Sequence, residues 1–181
     1  MLNNLDAVLD SNREKGNQFL TFILGNEEYG VDILQVQEIK GWGPVTTIPN
    51  MPEYILGVIN LRGTIVPIMD LRKRFNQPEA KYNTTTVIIV ARARDEDHER
   101  VVGMVVDAVS EVYDLNDAAM KPPPDLGCSM DVDFISGLAN VDDKMIILMN
   151  VDKLISHEVK KHLNVAETAS AQLDKKDEAA E

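Results

Sequence analysis

The apolar positions of this chain fall into short runs rather than long helical stripes. Phe19-Leu20-Thr21-Phe22-Ile23-Leu24 is closed by Gly25-Asn26, a turn pair. Ile55 to Leu61 and Thr64 to Met69 are two further runs joined by Arg62-Gly63. A glycine at a hairpin tip supplies positive φ without steric cost, so this block predicts a β-hairpin. Thr84 to Ala91, Val101 to Asp107, Phe134 to Val141 and Lys144 to Asn150 repeat the pattern. Pro67 cannot donate to a ladder, which predicts an edge strand or a bulge at that point. Arg92 to Arg100 is a charge-dense stretch between two apolar runs and predicts a solvated hairpin loop. Helical patterns are short, Asp70 to Phe75 and Val151 to about His162. The chain therefore predicts a mostly antiparallel β body with small helices at the ends of its units.

The runs also repeat. Gly57 to Phe75 lies over Gly137 to Ile155 without gaps, with Gly57/Gly137, Asn60/Asn140, Met69/Met149 and Lys73/Lys153 identical. Gly30 to Ile39 lies over Gly103 to Val112, where Gly30/Gly103, Val36/Val109 and Glu38/Glu111 coincide. The offset is 73 residues in the second pair of blocks and 80 in the first, which predicts a short insertion in the second copy near Lys121 to Asp125. Block order is the same in both halves, as expected of a duplicated β unit of about 70 residues. Each unit holds about five strands, and a sheet of that size leaves edges and a bare apolar face unless it closes. Two small barrels packed side by side satisfy both demands and leave a groove between them, a natural seat for a partner helix.

Length and charge narrow the function. A chain of 181 residues is one domain, or two small ones sharing a core. With 30 acidic residues against 18 basic ones the net charge is −12, which disfavours nucleic acid or an anionic membrane as the main partner. Residues 1–16 and 163–181 read as tails; the latter offers only Leu163, Val165 and Leu173 as large apolar groups, so disorder or a frayed helix is expected. Most of the acid excess lies in the body, 17–162. The lone Cys128 cannot form an internal disulfide, Met1 to Gly16 has no apolar signal core, and no apolar run approaches the ~18 residues a span needs. These point to a soluble, cytoplasmic protein.

No catalytic constellation emerges. His157 and His162 stand five apart, the wrong spacing for two ligands on one helix face, and the third histidine, His98, lies far off in sequence. Gly57 and Gly63 do not frame a phosphate loop, because no Gly-Lys-Ser/Thr follows. No enzyme activity, metal or cofactor is expected. Two charges stand out by position. Alternation places Glu38 on the same strand face as Val36, and Arg62 sits at a turn tip whose counterpart in the second copy is Asp142-Asp143. Both charges are compatible with ordinary solvated positions, but the contrast at the tip favours recognition by Arg62. Trp42, between Gly41 and Gly43-Pro44, is either core or an exposed contact.

With these blocks assembled, the sequence resembles a known family. Phe19 to Ile39, Ile55 to Arg72 with its Asn-Leu-Arg-Gly-x-Ile-x-Pro-x-x-Asp-Leu signature, Val102 to Val112, and Ile135-Ser136-Gly137-Leu138-Ala139 are similar to the CheW family of bacterial chemotaxis coupling proteins. The similarity covers about residues 17–157. It implies two SH3-like five-stranded barrel subdomains around a common core and a non-enzymatic adaptor. It also implies two partners, the cytoplasmic tip of a chemoreceptor and the CheW-like regulatory domain of the histidine kinase CheA, with recruitment to membrane-associated receptor arrays. The family's receptor contacts carry over to Val36, Glu38, Gly57, Arg62 and Gly63. The kinase contact is placed loosely at Gly41, Trp42, Val45 and Thr47. A paralogue serving another sensory or motility system is the alternative.

Overall fold

The computed structural model describes residues 17–78, 81–95, 98–124 and 133–158. The tails expected at 1–16 and 163–181, the body beyond residue 158, and Cys128 lie outside the described residues. Eleven strands are present among those described. The first half gives β1 (Gln18–Leu24), β2 (Glu27–Asp32), β3 (Val36–Gly41), β4 (Ile55–Leu61) and β5 (Thr64–Asp70), followed by the one-turn helix Leu71–Arg74. The second gives β6 (Val87–Asp95), β7 (His98–Val106), β8 (Ala108–Asp114), the two-residue β9 (Met120–Lys121), β10 (Ile135–Val141) and β11 (Lys144–Met149), followed by helix at 151–158.

The strands form two sheets. One runs β8-β1-β2-β11-β10-β9, the other β3-β6-β7-β5-β4. Each sheet thus takes strands from both sequence halves. β1 and β2 join β8 to β11 of the second half, and β6 and β7 join β3 to β5 of the first, so the exchange is reciprocal. The duplication survives in the register: Leu148 lies opposite Gly30 where β11 meets β2, and Ile68 lies opposite Gly103 where β5 meets β7. These two seams are parallel, in a body otherwise paired antiparallel. The matched glycines both lie in these seams. A Cβ on Gly103 would stand 2.5 Å from Ile68 Cδ1 and 2.8 Å from Ile88 Cγ2.

Three apolar clusters follow from this layout. β6 is buried on both faces, so its run Val87-Ile88-Ile89-Val90-Ala91 is continuous rather than alternating. Ile89, Ala91 and Ala93 join Phe22, Val31, Met104 and Met149 in a core shared by the two sheets. Ile88 and Val90 turn the other way, into the interior of the second sheet with Val66, Ile68 and Val105. Ile146, Leu148, Ala139 and Leu115 fill the first sheet. The architecture is mostly β, two curled sheets that correspond to the two SH3-like subdomains.

Two local expectations change. In the charged stretch Arg92 to Arg100, Arg92 to Asp95 and His98 to Arg100 are strand rather than loop, pairing Arg94 with Glu99 and Asp95 with His98. β5 is an interior strand, yet Pro67 causes no loss. Pairing with β7 begins only at Ile68, and Val58, opposite Pro67, commits its N–H and C=O to Thr46 at 2.9 Å each.

Candidate functional site

The β4–β5 hairpin ends in the pair Leu61/Thr64, leaving a two-residue turn in which Arg62 (φ 50°) and Gly63 (φ 87°) are both left-handed. That is the turn type compatible with strand twist. The Asn60 carboxamide oxygen accepts from Gly63 N at 2.8 Å. An arginine in this conformation costs roughly 1 kcal/mol relative to glycine, so the turn is not built for its own stability. Arg62 Nη1 instead reaches Glu38 Oε2 at 2.8 Å. The Arg62 side chain is 76% exposed and that of Glu38 19%, which makes the pair a rim feature worth no more than ~1 kcal/mol to the fold.

Glu38 and Val36 do not share a strand face. β3 bulges between them: Val36 lies opposite Ala91 and Glu38 opposite Val90, so Gln37 is the extra residue. The bulge turns Val36 into the shared core while Glu38 faces the rim. Gly57 is buried with φ 146°, and a Cβ there would meet the Thr46 carbonyl oxygen at 2.1 Å. Of the five receptor-contact candidates, Glu38, Arg62 and Gly63 therefore lie together at the surface. Val36 is buried in the shared core, and Gly57 lies along β4 away from the turn tip, against Thr46 and Thr47.

Two adjoining cavities open beside the rim. One, ≈ 230 Å³, is lined by Gln37, Leu61, Arg62, Thr64 and Val66 with Arg92, Glu99 and Val101. The other, ≈ 520 Å³, lies between the sheets against Phe19, Asp32, Leu34, Gln35, Met149 and Asp152, and includes Arg92, Arg94 and Glu99 as well. Arg92 and Glu99 line both, so the two adjoin along a groove. Asp32 accepts from Leu34 N at 2.9 Å and so caps the 3₁₀ turn Ile33–Gln35, which leaves Leu34 53% exposed beside the groove. Asp152 Oδ1 accepts from Gln35 Nε2 at 2.9 Å and from Arg94 N at 2.7 Å, tying both walls to the helix at 151–158. Sequence reading singled out none of Leu34, Gln35, Arg92, Arg94 or Asp152. A signal existed in Asp32, a helix-capping residue followed by an apolar residue that breaks alternation.

The kinase-contact candidates sit at the far end of the second sheet. Gly41 and Thr47 are exposed; Trp42 and Val45 are half-buried on that sheet's interior cluster. Trp42 is thus part core and part surface. Its ring stacks on Tyr82 at 4.3 Å. The Tyr82 hydroxyl donates to Asp70 Oδ2 at 2.8 Å, and the Arg72 guanidinium carbon lies 4.7 Å from the Tyr82 ring centroid. Burial, the Asp70 hydrogen bond and its charge push the Tyr82 hydroxyl up to about 12. Beneath, Arg72 binds Asp70 twice, through Nε at 3.0 Å and Nη2 at 2.8 Å, and reaches Asp107 Oδ1 at 2.9 Å. Burial pushes the Asp70 carboxyl up, but the hydrogen bonds from Arg72 and Tyr82 and the Arg72 charge hold it below the ordinary range.

Among the described residues, no group of three or more His, Cys, Asp or Glu is arranged to hold a metal ion. No helix there is long and apolar enough to cross a membrane.

Comparison with known proteins gives consistent matches. The family model for the CheW-like domain matches residues 18–159. Chemotaxis protein CheW of Klebsiella aerogenes is 47% identical over 143 residues, covering 79% of this chain and 84% of that protein. Protein FrzA of Myxococcus xanthus is 28% identical over 152 residues, covering 83% of this chain and 92% of its own. The crystal structure of the scaffolding protein TtCheW from Thermoanaerobacter tengcongensis superposes with a TM-score of 0.67 at 37% identity, covering 75% of this chain and 84% of that one.

Proposed function

Because the chain belongs to the CheW family, we propose that it is a non-enzymatic adaptor coupling chemoreceptor cytoplasmic tips to the regulatory domain of the histidine kinase CheA. Scaffolding in chemotaxis is the family's role, and the match spans nearly all the described body. The observation that carries the finer reading is the groove between the sheets with the Glu38–Arg62 pair on its rim. A helix of the receptor tip lies in the groove, burying apolar surface against Leu34, Phe19 and Leu61. The rim pair sets orientation and rate of association more than affinity. The segment from Gly41 to Thr47, at the far end of the second sheet, faces the kinase. Binding both partners at once raises their effective concentration. Signal passes only if receptor states differ in free energy of binding to the adaptor. In this reading the protein works in the cytoplasm and meets the membrane through receptors alone. The similarity to FrzA keeps a paralogous sensory system as the second reading.

Arg62→Asp tests the receptor site. The left-handed turn accepts aspartate, since Asp142 holds φ 48° at the equivalent tip, so the fold stays intact. The new carboxylate faces Glu38 and removes the exposed cation. Binding of a soluble receptor cytoplasmic fragment should weaken about tenfold, or ~1.4 kcal/mol, with binding to the CheA regulatory domain unchanged. Unchanged receptor affinity would remove the rim pair from the site.

A further inference from the structure

Each parallel seam runs on into a helix, and the two continuations differ. β5 pairs with β7 and leads into Leu71–Arg74; β11 pairs with β2 and leads into the helix at 151–158. The register sets Met69 opposite Met104 and Met149 opposite Val31, so the repeat holds in space as it does in sequence. Arg72 then corresponds to Asp152, Asp70 to Asn150, and Asp107 to Leu34. The hairpins correspond as well. Counted from Thr21/Gly30 and Val90/Gly103, Gly25 matches Arg94.

At both seams this matched position donates its backbone N–H to an aspartate at 2.7 Å, Gly25 to Asp107 and Arg94 to Asp152. The two aspartates come from different elements. At the first seam Asp107 stands where β7 gives way to β8, and the buried Arg72 guanidinium binds both it and Asp70. At the second, the aspartate is the counterpart of Arg72 itself, and Leu34, 53% exposed, stands in the place of Asp107. A short carboxylate where the other copy has a long guanidinium leaves space. The ≈ 520 Å³ cavity opens here, against Leu34, Gln35, Asn150 and Asp152. Its lining sets Asp32, Glu99 and Asp152 against Arg92 and Arg94, so the open seam offers shape and apolar surface rather than a charge excess that would attract an acidic partner.

We infer that Asp152 is a positioning residue of the groove: it leaves the seam open where the other copy is filled by Arg72, and its Oδ1 holds the two walls in place. The inference rests on the groove being the receptor site. Oδ1 accepts from Gln35 Nε2 at 2.9 Å on the wall that carries Leu34, and from Arg94 N at 2.7 Å on the wall that carries Arg92. Without these bonds the Ile33–Gln35 turn and the β6–β7 hairpin shift independently. A partner helix then has to order both walls as it binds, which weakens the complex.

The experiment uses the full chain. Dissociation constants are measured for a soluble chemoreceptor cytoplasmic fragment and for the CheA regulatory domain, with a thermal melt of each variant. Asp152→Ala removes both hydrogen bonds, whereas Asp152→Asn keeps an acceptor oxygen in the same place. Leu34→Glu charges the apolar surface of the groove with Asp152 left in place, and is the independent test of the groove. Asp152→Ala should bind the receptor fragment about tenfold more weakly, and Asp152→Asn should stay within about threefold of the parent. Binding to the kinase domain should be unchanged in all three. Amide exchange at Arg94 should speed up in Asp152→Ala and not in Asp152→Asn. If Asp152→Ala binds the receptor fragment as the parent does while Leu34→Glu is weakened, the inference fails and the groove stands. If neither is weakened, the groove reading fails and the inference with it. Weakening of Asp152→Ala without Leu34→Glu would place the effect outside the groove and overturn the inference. Equal weakness of Asp152→Asn and Asp152→Ala would make the charge, not the pair of hydrogen bonds, the active feature, and the positioning role falls. A loss for both partners with a lowered melting temperature would mark Asp152 as a general support of the fold and overturns the inference as well.

Discussion

Arg72→Met should cost about 3–5 kcal/mol of stability. Arg72 is 2% exposed and Asp70 1%. Removing the cation leaves the Asp70 carboxylate buried with only the Tyr82 hydroxyl and Arg72 N as donors. It also leaves Asp107 with Gly25 N alone, at 2.7 Å, and so loosens the tie between the second sheet and the β1–β2 turn. At roughly 2–4 °C per kcal/mol for a chain of this size, the melting temperature should drop by about 10 °C. Asp70→Asn/Arg72→Met should recover more than half of the loss. It removes both charges, and Asn keeps the cap on the helix Leu71–Arg74. A single variant within 1 kcal/mol of the parent in urea denaturation would show that water, not Arg72, neutralises Asp70.

The same network has a pH signature. The folded-state pKa of Asp70 is depressed below 3.8, so its contribution is full above that value and is lost as pH falls through the folded pKa. Lowering the pH through this range should therefore narrow the stability gap between the parent and Asp70→Asn/Arg72→Met, which has no Asp70 carboxylate to protonate.

This network also shows what sequence can and cannot carry. Asp70-Leu71-Arg72 is visible as part of a motif, and its capping role is local. The partner Asp107 stands 35 residues away and the stacked Tyr82 lies in a stretch without pattern. Strands were legible for the same reason: an apolar run closed by a turn is a local fact. Their pairing was not. Nothing in Gly30 or Gly103 announces that β2 pairs with β11 and β7 with β5, exchanging strands between the halves. Only the close approach of Ile68 and Ile88 to Gly103 shows why a side chain is barred there. At the candidate site, Glu38 and Arg62 were legible as unusual charges, and the fold brings them to 2.8 Å. Alternation places Val36 on the face of Glu38 because it assumes a regular strand, and one extra residue at Gln37 reverses it. The stretch Arg92 to Arg100 reads as a loop because its charges suggest solvation, whereas strand pairing is indifferent to side chains that point to water.

Gly57→Ala should be nearly as damaging, at about 3–5 kcal/mol, for a reason that separates support from contact. The backbone there has φ 146°, a region almost reserved for glycine, and forcing alanine into it costs roughly 1–3 kcal/mol. The new methyl would also stand 2.1 Å from the Thr46 carbonyl oxygen and 2.7 Å from its carbon. These are backbone atoms, held by the reciprocal Thr46–Val58 bonds, and no rotamer change relieves them. Overpacking of that kind adds roughly 1–3 kcal/mol. Gly63→Ala is the control: its φ is 87°, but nothing lies within 4 Å of the added carbon, so it should lose only about 1 kcal/mol. Gly137→Ala should fall between, with Lys121 O at 2.7 Å. If Gly57 serves by letting the 45–47 segment close on β4, its variant must lose stability together with affinity for both the receptor fragment and the kinase domain. If Gly57 is instead a direct receptor contact, affinity for the receptor alone falls while the melting temperature stays near that of Gly63→Ala. The two outcomes differ by roughly 2–4 kcal/mol in denaturation, well beyond the error of the measurement.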